Sequence, residues 1–189
     1  MNDLTHKLEK YAQLIIQSGC NLQPGQELLL TASTDTCEFT RIVTAEAYKQ
    51  GASKVTVVFS DEVVSRLHFE HCALDIFEHY PEWQALLTNS MAENRAAVLN
   101  ITSEDPLAML GIDQDKLVAH SRAGYEACKP FQDAIAEGKI TWCIVGAAAP
   151  KWAGFVFPDI PVEEAVDKLW QAIFSTVRVD TEDPLAAWA

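Results

Sequence analysis

Basic residues are scarce: 14 Lys and Arg face 27 Asp and Glu, for a formal net charge of -13. A nucleic-acid backbone and an anionic membrane surface both reward basic patches, so neither is expected as a partner. Cysteine is sparse, odd in number and scattered: Cys20, Cys37, Cys72, Cys128 and Cys143 never form a C-x-x-C pair. That spacing indicates neither a disulfide framework nor a thiolate zinc site, and most of the five read as small buried hydrophobes. No apolar run approaches the ~20 residues needed to cross a bilayer, and Met1-Asn-Asp-Leu-Thr lacks the basic start and apolar region of a signal peptide. A cytoplasmic location is the expectation. Nucleotide signatures are missing too, because the turns after Ala32 and Gly146 carry neither G-x-G-x-x-G nor G-x-x-x-x-G-K-S/T. No Ser, Cys or Asp sits in a nucleophile elbow or triad motif.

With 49% hydrophobic residues, 8 Gly and 8 Pro in 189, the chain has material for a sizeable core, and disorder is excluded. Periodicity then orders it. Leu4, Leu8, Tyr11, Leu14 and Ile15 make an amphipathic helix that Gly19 can end. After a turn at Pro24-Gly25, Glu27 to Ala32 reads as a strand. Phe39, Ile42, Val43 and Ala47 share a helical face, and Val55 to Phe59 is a second strand. A strand, a helix and a strand within about thirty-five residues is the size of one parallel crossover unit.

Ser60-Asp61-Glu62 supplies a cap for a third helix, and Pro81 starts another carrying Trp83, Leu86, Leu87 and Met91. Ala96 to Ile101 is a buried strand, and Thr102 to Pro106 carries a helix-start signal. A long helix from Asp113 is kinked or split at Pro130. Ile140 to Gly146 is a nearly continuous apolar run, which suits a strand covered on both faces. Pro161, Glu163 and Glu164 open a helix whose Ala165, Val166, Leu169, Trp170, Ile173, Phe174 and Val177 form a broad apolar stripe. The fold class expected is α/β, an open, mostly parallel sheet with helices on both faces in three layers. Residues 1–180 form one domain, and residues 181–189 open a further helix at Asp183-Pro184. Because that pattern is cut off within two turns, the natural chain is expected to continue.

Few residues suggest chemistry. His68-Phe-Glu-His71 places two histidines on one helical face, the spacing of a metal pair. Val64 and Leu67 complete an i, i+3, i+4, i+7 set with them, so the expected role is packing, without a bound metal. Ser60-Asp61-Glu62 follows a strand, where parallel sheets place ligands, but capping alone explains it and is the expected role. Lys151 and Trp152 follow the last strand at its carboxyl end and are the candidate cavity-lining residues, although an indole there is more often a packing anchor. No catalytic residue and no metal ligand is assigned within the chain.

A set of short blocks resembles the N-terminal domain of the M29 metallo-aminopeptidases, the thermophilic aminopeptidase T type. They include Asn21-Leu-Gln-Pro-Gly-Gln26, Phe59-Ser-Asp61, Pro81-Glu-Trp83, Phe157-Pro-Asp159, and Arg178-Val-Asp180 through Asp183-Pro-Leu-Ala-Ala-Trp188. The resemblance runs from end to end. It implies an exopeptidase that uses divalent metals (zinc, cobalt or manganese) to remove N-terminal residues from short peptides, and a homodimer at full length. It also implies that the metal ligands and catalytic residues lie in a C-terminal domain beyond Ala189, so it transfers no catalytic position onto this sequence. The alternative is a stand-alone module binding a small molecule or partner at the carboxyl edge of its sheet.

Overall fold

A computed structural model describes residues 3–188. The first helix, α1 (Asp3–Leu14), runs into a single π-helical turn (Ile15–Gly19). Strand β1 (Glu27–Ser33), helix α2 (Cys37–Lys49) and strand β2 (Lys54–Ser60) follow. Next come α3 (Glu62–His71), the one-turn α4 (Leu74–Phe77), α5 (Glu82–Glu93) and β3 (Ala97–Thr102). The chain continues through α6 (Gln114–Ala127), α7 (Lys129–Ala136), β4 (Trp142–Gly146), α8 (Pro150–Val156), α9 (Val162–Thr176) and α10 (Pro184–Trp188).

The strands form one sheet in the order β2-β1-β3-β4, with every neighbour parallel. Its two faces alternate along β1. Leu28, Leu30 and Ala32 join Leu99, Ile101 and Val145 in the main core under α1, α2 and α9, where Tyr11 stacks on Phe39 at 5.3 Å and meets Phe174 edge-on at 6.3 Å. Leu29 points the other way, into a second cluster with Met91, Phe131 and Ala134 from α5 and α7. This is a three-layer α/β fold, as the alternation of elements predicts. A satellite cluster of Phe69, Phe77 and Ile112 lies apart, its phenyl rings stacked at 4.6 Å.

Local rules account for some element ends. Asp61 caps α3 by accepting from the Val64 amide at 3.0 Å. Pro130 splits the long helix rather than kinking it: α6 ends at Ala127 and α7 carries Pro130 in its first turn, where the missing N–H leaves no bond unmade. Three expectations fail. The signal at Thr102–Pro106 starts no helix, because the Asp105 carboxylate accepts from the Leu107 amide at 2.8 Å and closes a turn instead. Strand β4 is not covered on both faces, since it lies at the sheet edge with Trp142 and Ile144 more than half exposed. Helix α3 does not pack through Val64, Leu67, His68 and His71 but through Phe69; Val64 is 64% and Leu67 46% exposed.

Candidate functional site

Order β2-β1-β3-β4 has its switch point between β1 and β3, because the chain winds outward from β1 in one direction and from β3 in the other. In open parallel sheets the crevice outside the carboxyl ends at that point is where ligands bind. Here it is framed by the turn Thr34–Thr36 after β1, the loop from Ser103 after β3, the start of α3 after β2 and the start of α8 after β4.

The side chains gathered at this edge are mostly acidic. Glu62 is largely shielded: one carboxylate oxygen pairs with the Lys151 ammonium, and the other accepts from the Asp105 amide at 2.9 Å. Asp61 accepts from the Thr34 hydroxyl at 3.2 Å as well as from α3. The Val64 amide holds the Asp61 carboxyl below the usual range, with Thr34 and Lys151 adding to the effect. The Glu62 carboxylate raises the Lys151 ammonium above its ordinary value, with Asp35 and Asp105 contributing. Lys151 is thus a fixed positive charge with donors to offer, and it is no base at neutral pH. Ser103 is 4% exposed and its hydroxyl has no hydrogen-bond partner among the described residues, so one polar atom beside the crevice is left unsatisfied there.

The sequence candidates take these places. Asp61 and Glu62 both act at the crevice: Asp61 caps α3 and Glu62 anchors Lys151. Trp152 is half-buried against the main core, with its ring over Gly146, so it acts as the packing anchor that an indole there suggests. His68 is exposed at the edge of the satellite cluster, its ring edge-on to that of Phe77 at 5.0 Å and its Nδ1 3.2 Å from the Cys72 sulfur. His71 is exposed. Sequence reasoning missed Ser103 and Asp105, and no spacing signal marks either.

A divalent centre that activates water takes several His, Asp or Glu ligands converging on one point. Among the described residues no group of three or more His, Cys, Asp or Glu side chains is arranged to hold a metal ion. The acidic side chains at the crevice are instead tied up as caps and ion-pair partners, so these residues do not fit a metal-activated hydrolytic centre. Fold and site together define an α/β domain with a polar crevice at the carboxyl edge of its sheet.

The family is given by comparison. The model described as Thermophilic metalloprotease (M29) matches residues 4–189, and the chain belongs to that family. It is 38% identical over 188 residues to aminopeptidase AmpS of Bacillus subtilis, covering 100% of this chain and 46% of the relative. To aminopeptidase T of Thermus thermophilus it is 39% identical over 191 residues, again covering 100% of this chain and 46% of the relative. The solved structure of wild-type AmpT from Thermus thermophilus superposes with a TM-score of 0.86 at 36% identity, covering 97% of this chain and 45% of that one. The chain therefore spans about half the length of the curated relatives it matches, and it corresponds to their N-terminal domain.

Proposed function

We propose that this chain serves as the N-terminal domain of a metal-dependent aminopeptidase that removes N-terminal amino acids from short peptides. In this reading residues 1–180 are the α/β domain, and residues 181–189 lead into a C-terminal catalytic domain that supplies the metal ligands. The carboxyl edge of the sheet, with Lys151 and Trp152, walls the cavity that admits the peptide. Zinc, cobalt or manganese is the expected metal, held by the catalytic domain, and the whole enzyme is a cytoplasmic homodimer. One observation carries the reading: the match covers all of this chain but 46% of aminopeptidase relatives, while no three-ligand cluster exists among the described residues. A second reading, a module binding a small polar ligand at the crevice, has the unpartnered Ser103 hydroxyl in its favour.

Release of leucine from a leucyl substrate tests the proposal. The expected outcome is no release by this chain with zinc, cobalt or manganese added, and metal-dependent release once the chain is extended with the family's downstream domain. Turnover that co-elutes with the unextended chain and is abolished by a chelator would overturn it.

A further inference from the structure

The three-layer arrangement is incomplete at β4. Register sets Trp142 beside Val98 and Val98 beside Leu29, so Trp142 and, two residues on, Ile144 belong to the face that α5 and α7 cover. Val98 packs against the cluster on that face, but neither Trp142 nor Ile144 does, and both stay more than half exposed. Strands of a parallel sheet are ordinarily covered on both faces. Two large apolar side chains left bare therefore mark a layer that stops one strand short.

Two further sides of the strand are open. A cleft of about 270 Å³ lies between β4, the π-helical turn and the end of α10, with Leu14, Ile15, Val177 and Trp188 among its walls. Along its outer edge β4 pairs with no strand among the described residues. Exposed edges are normally protected from pairing by charges, proline or a bulge. Trp142-Cys-Ile-Val-Gly146 carries neither charge nor proline, whereas the opposite edge strand, β2, opens on Lys54.

We propose that the bare face and free edge of β4, with the cleft beside them, are the docking surface for the domain that follows Trp188 in the full-length chain. This rests on the reading of the chain as an N-terminal domain. The match takes 46% of the relatives, so the larger part of such a protein lies outside this chain. Its point of departure is fixed at this surface. Trp188 lines the cleft, its indole N–H donates to the Val177 carbonyl at 2.9 Å, and the Arg178 guanidinium lies 5.2 Å from its ring centre. Lys10 holds the same segment through the carbonyls of Thr181 and Glu182. A domain tethered there meets β4 at high effective concentration, and an apolar surface suits a permanent partner.

Hydroxyl-radical footprinting of this chain and of the chain extended with the family's downstream domain tests it, with metal-dependent leucine release measured on the same extended sample. The expected result is strong labelling of Trp142 and Ile144 in this chain and its loss in the extended one. Trp83, exposed on α5, labels equally in both. Ile144→Asp should leave the melting temperature of this chain unchanged and restore labelling of Trp142 in the extended chain. Labelled Trp142 in an extended chain that releases leucine overturns the docking surface and leaves the aminopeptidase reading standing. Protected Trp142 in an extended chain that releases none overturns that reading and supports the docking surface. Loss of label at Trp83 in place of Trp142 overturns the proposal. So does concentration-dependent protection of Trp142 in the unextended chain with a dimer in sedimentation, which would seat a second copy there. The wild-type footprints decide the matter even if the variant folds poorly.

Discussion

Replacing Gly146 and Gly154, one at a time, by Ala makes the same chemical change with opposite expected signs. At Gly146 the new Cβ would lie 3.2 Å from Trp152 Cη2 and 3.4 Å from Cζ3, so the indole must shift by a few tenths of an ångström inside a packed cluster. Overpacking of this kind costs about 1–3 kcal/mol, against about 0.4–1 kcal/mol gained by restricting the unfolded chain. The net is a loss of roughly 0.5–2 kcal/mol, or roughly 1–8 °C in Tm for a domain of this size. At Gly154, inside α8, the nearest atom is Val162 Cγ2 at 3.7 Å, an ordinary contact. There the helix preference for Ala stabilises by roughly 0.5–1 kcal/mol. Urea unfolding followed by circular dichroism measures both, with the m-value unchanged. Trp152→Phe removes the atoms in the way, so a double-mutant cycle with Gly146→Ala should show favourable coupling of at least about 0.5 kcal/mol. Shifts of the same sign in the two Ala variants, or no coupling to Trp152, would refute the packing argument.

Three further outcomes are expected. Leu30→Ala, at a fully buried position in the middle of β1, should lose about 2–5 kcal/mol in urea unfolding, while Leu86→Ala, 73% exposed, should stay within about 0.5 kcal/mol. The His120 pKa is lowered, first by burial among the rings of Phe69, Phe77 and Tyr80 and then by His68, with the Lys116 ammonium over Phe77 nearby. The unfolded chain therefore binds that proton more readily, stability falls as pH drops through the ordinary histidine range, and His120→Gln should flatten that slope in pH-dependent melting curves. The effect is small because more than a third of the side chain stays in water. Chelator-treated, dialysed and zinc-reloaded protein should hold no stoichiometric zinc by elemental analysis, and His71→Ala should change nothing; stoichiometric zinc lost in that variant would assign His68 and His71 a metal.

The sheet was legible because parallel strands buried on one or both faces leave runs such as Glu27–Ala32 and Ala96–Ile101, and the observed strands begin within two residues of those starts. Helix α9 was legible for a complementary reason: its stripe at Ala165, Leu169, Trp170, Ile173 and Phe174 is buried as the periodicity requires. Two of the failures, at β4 and α3, share one cause. A pattern shows that a face is apolar but not whether this chain covers it, so the stripe at Val64 and Leu67 was assigned to a core that does not receive it. The turn at Asp105 failed because Asx-turns and helix caps use the same residues. At the crevice, Asp61 and Glu62 could be placed after a strand, but the pairing of Glu62 with Lys151 joins residues far apart in sequence, as does the bond from the Thr34 hydroxyl to Asp61. No spacing rule encodes such meetings.

The position of Tyr11 sets an order of events during synthesis. Its ring waits for Phe39 and Phe174, and its hydroxyl for the Gly146 carbonyl, which accepts from it at 3.2 Å. Lys10 beside it donates to the carbonyls of Thr181 and Glu182. As the chain leaves the ribosome, β1, α2 and β2 can assemble early, because the loops that join them are short and their closure is entropically mild. Helix α1 meets Phe39 at that stage but gains its remaining contacts only when β4 and α9 have emerged. Helix α1, made before the sheet it packs on, is thus secured only after β4 and α9. Until then its apolar stripe is exposed, which makes the unfinished chain the species most in need of a chaperone.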